Sequence, residues 1–292
     1  MFTHLVRSRR KKPKYQVTTK RKGSSNFKRG QGTFPLELIN DLIKAEKSIS
    51  KKMIYLEFAC GGLRISEPLH RFVTDVLPGR TRPMLFPRDT PSELPLVILA
   101  DPVESLYTDS LNINSTTNRR QYLLKNYGLY PRNEIKNGSL RAGWKGMLYD
   151  NGDLKISQIY WSNYYYAKLY FELYKQLMHI RQSVPKSIRD SHPYLYIVDN
   201  SKVKQFGQQL TIGNIEKSFA RACKKIGLIP YRNKATPHGL RHGYKKQLEK
   251  LQLSASEIQV CMHHKSIGSQ AAYALPDSKE INKKLFDILN VR

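Results

Sequence analysis

A chain of 292 residues with 40 % hydrophobic side chains has enough apolar surface to build a core, which excludes a wholly disordered polypeptide. Its 50 Lys and Arg against 23 Asp and Glu leave a net charge of +27, a self-repulsion that a polyanion relieves, so nucleic acid is the leading partner. Three scattered cysteines, Cys60, Cys223 and Cys261, exclude a disulfide framework or zinc knuckle, and no apolar run approaches the roughly 18 residues of a membrane span.

Residues 1–36 hold 11 basic residues and no acid, leaving 39 cations against 23 acids in the remainder. Mixing RSRRKKPK and KRKGSSNFKRGQG with few apolar residues, the stretch 1–33 is expected to be a flexible basic arm. From Pro35, apolar residues at helical spacing predict two helices that stop at Gly61-Gly62. Ser66 reads as the N-cap of a further helix, with Pro68 tolerated in its first turn, so Arg64 falls in the connection. Glu67 is expected to orient Arg64 or support that helix start. Residues 78–140, with six prolines between Pro78 and Pro102 and an Asn-rich stretch after them, are expected to be an irregular insertion.

Beyond it, GWKGMLYD and LKISQIYW flank Asn151-Gly152, a pair suited to the positive φ of a tight turn, which predicts a hairpin carrying Lys145. The segment YYYAKLYFELYKQLMHI places Tyr166, Leu169, Tyr170, Leu173 and Leu177 on one helical face, read as core and not as a base-stacking platform. Ile215, Phe219, Ala222, Cys223 and Ile226 mark another helix that ends at Gly227. Thr236-Pro237 opens a helix on which His238 and Arg241 share a face, and Ser254-x-x-Glu257 is a capping box for the next. The C-terminal KEINKKLFDILNVR reads as a short amphipathic helix, packed on its own chain or on a neighbouring subunit.

Four pieces carry chemistry in a fixed order: GGLRISEPL around Arg64, GWKG around Lys145, HGLRH from His238 to His242, and HHKSIGSQAAY from His263 to Tyr273. Displacing an oxygen from phosphorus creates a crowded anionic transition state that fixed cations stabilise. Arg64 and Arg241 suit that task because a guanidinium donates paired hydrogen bonds to phosphate oxygens and keeps its charge. A tyrosine with an ordinary pKa of about 10 needs cations or a proton acceptor beside it to attack at neutral pH. His264 and Tyr273 stand nine residues apart, two and a half helical turns, so HHKS must bend, with Ser266 expected to cap the tyrosine helix.

The order and spacing of these pieces resemble the tyrosine recombinase (phage-type integrase) family. Its catalytic domain runs Gly-Leu-Arg-x-Ser-Glu, a hairpin lysine, His-x-x-Arg, then Gly-His and a tyrosine nine residues later. The Pro-rich insertion, the GWK hairpin, HPYLYIV and MHHKSIGSQ are similar to the gamma-mobile-trio recombinases of bacterial mobile elements. The resemblance spans about residues 35–274 and implies a mainly α fold with a small β-hairpin or sheet. It places a catalytic domain at 34–292 with the insertion at about 78–140, and a separate N-terminal core-binding domain is expected to be absent.

The resemblance further implies a site-specific recombinase or integrase that cleaves and rejoins DNA through a covalent 3′-phosphotyrosyl intermediate on Tyr273. Arg64 and Arg241 are implied to clamp the phosphate, His238 to assist the tyrosine, His264 to hydrogen-bond the phosphate, and Lys145, with Lys155 as rival, to protonate the leaving oxygen. The expected partners are double-stranded DNA and further copies of the chain in a homo-tetramer on paired sites. No membrane, metal or small-molecule cofactor is expected, and the expected location is a bacterial cytoplasm, at the nucleoid. His263 stands where the family usually has glycine; a metal pair with His264 is the lesser alternative. A non-catalytic DNA-binding protein of the same fold and a nicking topoisomerase remain alternatives.

Overall fold

The folded unit is organised around one helix that touches almost no water. The structure, a computed structural model, describes residues 33–108, 116–232, 234–265 and 278–290; the proposed arm up to residue 32, Ser266 and Tyr273 lie outside these. Helix α1 (Ile39–Ala45) leads into α2 (Ile49–Cys60), opened by Ser48, whose hydroxyl accepts from Lys51 N at 3.3 Å. Every residue of α2 from Met53 to Cys60 is buried, because α5 (Tyr164–Gln182) and α8 (Pro237–Lys250) both pack on it. The chain leaves α2 at Gly61, and Gly62 follows at φ +69 with the Tyr244 ring of α8 only 2.3 Å from where a Cβ would stand. Both the left-handed backbone and the close approach require glycine at that corner.

A three-stranded antiparallel sheet lies beside the helices in the order β1 (Val76–Leu77), β2 (Leu96–Ala100), β3 (Ile156–Gln158). Val76 pairs with Val97, and Leu99 pairs with Ser157. The mainly helical fold with a small sheet is thus as the sequence predicts. The expected irregularity of 78–140 is corrected. This stretch supplies the short helix α3 (Arg82–Leu85), the central strand β2, and α4 (Arg119–Tyr127). LVILA lacks any alternation because β2 is buried on both faces. Asn118 and Gln121 form a capping box for α4, which stops at Gly128 with φ +64.

Two local expectations also change. Ser66 starts a single 3-10 turn, Glu67–His70, and its side chain caps nothing. Residues 141–149 form no strand, and Asn151 pairs with Ile156 across a four-residue turn in which Lys155, not Asn151 or Gly152, takes positive φ (+50). The Asn151 side chain explains this: Oδ1 accepts from Leu154 N at 3.0 Å while Nδ2 donates to Leu85 O at 2.7 Å, closing a wider Asx-type turn.

Helix α6 (Lys186–Arg189) and a run of bridged extended chain lead to α7 (Ile212–Lys225), which Thr211 caps and which buries Ile215, Phe219, Ala222 and Cys223 as expected. Thr236 caps α8 through a 2.8 Å bond from Gly239 N, and Ser254 with Glu257 caps α9 (Ala255–Cys261). Helix α10 (Ser278–Asn290) packs on its own chain: Ile281 and Leu285 enter the cluster of Tyr244, Leu248, Leu251 and Ile258, and Lys284 pairs with Glu257 at 2.9 Å.

Buried arginines bolt the Glu67–Arg71 segment down. Arg71 pairs with Glu57 at 3.0 Å, where Tyr170 and Tyr196 also donate to that carboxylate. Arg119, ion-paired with Asp75, donates to Tyr107 O and His70 O. Arg132, 1 % exposed, donates to Leu140 O (2.7 Å), Leu69 O (3.1 Å) and Leu210 O (2.8 Å). Truncating it orphans three carbonyls in a closed interior, so Arg132→Leu is expected to lower stability by about 3 kcal/mol or more. Urea unfolding measures this, and a loss below about 1 kcal/mol would show that the carbonyls find other partners.

Candidate active site

The candidate site forms where the corner after α2, the first turns of α8 and the end of α9 meet. Arg241 is buried at their junction. Its guanidinium donates to Gly62 O, to Met262 O at 2.9 Å, and to His264 Nε2 at 2.9 Å. Backbone carbonyls from two separate segments thus fix its plane, and no carboxylate bonded to it neutralises its charge among the described residues. Burial pulls the Arg241 pKa down to about 10, the nearby Glu67 carboxylate opposing this and the Arg64 cation adding to it, so it stays charged at neutral pH.

Arg64 reaches the same place from the corner after Leu63. Glu67 holds it, accepting from Arg64 N at 2.7 Å and from Arg64 Nη1 at 2.5 Å. The sequence expectation that Glu67 orients Arg64 is what the geometry contains, although the turn between them is tighter than a helix. Arg64 side-chain exposure of 26 % leaves the guanidinium open to a ligand from solvent.

His238 and His242 lie one turn apart on α8 with ring centroids 4.4 Å apart. Desolvation, the neighbouring imidazole and the two arginines lower the His238 pKa, so this ring is neutral at working pH and can accept a proton. Burial, with Arg241 and Arg64 beside it, pushes His264 down to about 4. Arg241 donates to its Nε2, which leaves the His264 proton on Nδ1.

Lys145 is exposed on the loop that was expected to be a hairpin strand. That loop is brought to the site: a Cβ on Gly146 (φ +70) would stand 2.8 Å from Lys265 Nζ, next to His264, and Gly143 O receives the His70 ring at 3.3 Å. The rival Lys155 is bonded to Glu104 on the surface. Arg64, His238, Arg241 and His264 therefore share one cationic site, with the Lys145 loop at its edge.

Several supporting residues carry no motif and are absent from the sequence reading. His70 and Arg132 tie the turn after Arg64 to the 140–143 loop, and Ser157 on β3 bonds the His263 ring at 3.1 Å. The arginine's carbonyl partners have no side-chain signature, so no local pattern marks them. Among the described residues, no group of three or more His, Cys, Asp or Glu could hold a metal ion.

The neutral histidines make stability depend on pH. Burial holds His70 and His263 near about 3, and His192 and His264 near about 4, whereas in an unfolded chain each takes a proton near 6.5. Stability from these groups is complete above about 6.5 and drains as pH falls toward 4; Asp150, pushed up to about 6, offsets one of the four below that value. The urea midpoint is expected to fall steadily between about pH 6.5 and 4.5, above the usual carboxylate range. A flat profile in that window contradicts the burial of neutral imidazoles.

No helix among the described residues is long and apolar enough to cross a membrane. No curated relative matches the chain. The phage integrase family model matches residues 140–280, a span that holds Lys145, His238, Arg241, His264 and Tyr273 but begins after Arg64. Over that span the chain is similar to the phage integrase family, the tyrosine recombinase catalytic domains.

Proposed function

We propose that the protein is a site-specific DNA recombinase that cuts and rejoins strands through a phosphotyrosyl bond at Tyr273, in the service of a mobile genetic element. The observation that carries this reading is the grouping of two guanidinium groups, Arg241 held by backbone carbonyls and Arg64 held by Glu67, with the neutral imidazoles of His238 and His264. Such a site is built to receive an anion, and a net charge of +27 draws a polyanion to it.

In this reading the guanidinium groups of Arg64 and Arg241 and the Nδ1–H of His264 hold the non-bridging oxygens of a backbone phosphate, and their donors match the charge that grows in the transition state. His238, neutral, accepts the Tyr273 phenol proton as its oxygen bonds to phosphorus and the deoxyribose 5′ oxygen leaves. A lysine protonates that oxygen, and Lys145 is favoured over Lys155 because Glu104 occupies the latter. Rejoining reverses these steps, with a 5′ hydroxyl displacing the tyrosine. The arm at 1–33 and the insertion are assigned to holding the duplex, and paired sites in a homo-tetramer to strand exchange.

A pool of randomised duplexes, each with one nick that lets a cleaved end diffuse away, tests the reading without knowledge of the target. The wild type is expected to form a covalent protein–DNA adduct stable to denaturant, and Tyr273→Phe none. On the duplex so selected, Arg241→Lys is expected to slow adduct formation by about a hundredfold or more, since lysine cannot reproduce the paired donation. Duplex binding with no adduct from any member of the pool would overturn strand transfer and leave a non-catalytic DNA-binding protein of this fold.

A further inference from the structure

Helix α9 ends in a motif that ordinarily calls for glycine. His263 N bonds to Val260 O at 2.9 Å and His264 N to Gln259 O at 3.1 Å, the two closing bonds of a Schellman turn, with His263 at the left-handed position (φ +55). A β-carbon is disfavoured there, and glycine is the residue that adopts this conformation without penalty. The chain nevertheless carries a large side chain at this position, and that side chain is 1 % exposed.

The imidazole is held from across the fold. His263 Nδ1 lies 3.1 Å from Ser157 Oγ on β3, and Ser157 Oγ lies 2.5 Å from Asp150 Oδ2. Gln158 N also bonds to that carboxylate, at 3.2 Å. The Tyr160 ring lies 6.0 Å from the imidazole. One residue further on is His264, bonded to Arg241; one residue before is Met262, whose carbonyl also receives Arg241.

We infer that His263 is a positioning residue whose imidazole, anchored through Ser157 to Asp150, locks the left-handed turn that sets Met262 O and His264 Nε2 against the Arg241 guanidinium. Proton bookkeeping fixes the direction of the relay. An ionised Asp150 only accepts, so the single Ser157 hydroxyl proton points to it, and Ser157 Oγ accepts from His263 Nδ1–H. His263 is therefore the Nδ1–H tautomer, with a bare Nε2. The anchor does by side-chain bonding what glycine does by conformational freedom.

The inference rests on the proposed strand-transfer reading for its kinetic test, and the two fail differently. If the wild type forms no adduct, strand transfer fails. If the wild type forms an adduct, the variants decide the role of His263. His263→Ala keeps the Cβ strain and loses the anchor, and is expected to slow single-turnover adduct formation on saturating DNA by about tenfold, with DNA affinity unchanged. His263→Gly loses the anchor and also the strain, and is expected to stay within about threefold of wild type. Ser157→Ala is expected to slow the wild-type background and to add nothing in the His263→Gly background. A ring that merely fills space predicts the reverse order, with glycine leaving the larger hole and the slower enzyme, and that order would overturn the inference. Nitrogen-15 spectra of the wild type at pH 7.5 give a readout independent of activity: a protonated Nδ1 and bare Nε2 on His263 support the relay, and the opposite tautomer contradicts it.

Discussion

The site depends on one interaction: a buried guanidinium held by two backbone carbonyls. Arg241 spends donors on Gly62 O and Met262 O and so acquires a fixed plane with no acid of the described residues bonded to it. A carboxylate would orient an arginine equally well and make it a poorer host for phosphate. Carbonyls orient it and leave the positive charge available. The arrangement requires the chain after α2 and the chain after α9 to present oxygens at the same point, and both do so through left-handed residues, Gly62 at φ +69 and His263 at φ +55. The fold is in this sense a device for bringing two turns to the two sides of one arginine.

The rest of the domain holds those turns still. Tyr244, three residues after Arg241 on α8, presses against Gly62 and donates to Tyr160 O at 2.7 Å, tying the corner to the chain that follows β3. The insertion contributes as well, because Arg119 and Arg132 belong to it and bond the carbonyls of His70 and Leu69 just beyond Arg64. A segment that reads as an irregular excursion thus braces the turn from which the first arginine projects.

What could be read from the sequence divides along physical lines. Helix starts with side-chain caps, Thr236 and Ser254, are local chemistry and were legible, as were the glycine stops at Gly61 and Gly227. Arg64, His238, Arg241 and His264 were legible because their motifs keep fixed spacing, and the structure brings these four together. Lys145 was placed on a strand that does not form, because Asn151-Gly152 suggests a two-residue turn while the Asn151 side chain builds a longer one. Strand β2 was hidden because full burial removes the alternation that marks a strand. The anchoring of His263 joins β3 to a helix end 106 residues away in sequence, and no local pattern carries a contact of that range. Tyr273 lies outside the described residues, so its place at the phosphate stands as a proposal.

The central claim is that Arg241, fixed by carbonyls beside Arg64 and His264, is the cradle of a DNA phosphate. A crystal structure of the protein with a nicked duplex and vanadate, which mimics phosphorus in mid-transfer, tests it most directly. The account predicts vanadate oxygens within hydrogen-bond distance of Arg241, Arg64 and His264, with Arg241 still bonded to Gly62 O and Met262 O and the Tyr273 oxygen on the metal centre of the vanadate. A duplex bound on another face, with Arg241 in contact with neither phosphate nor vanadate, would contradict it.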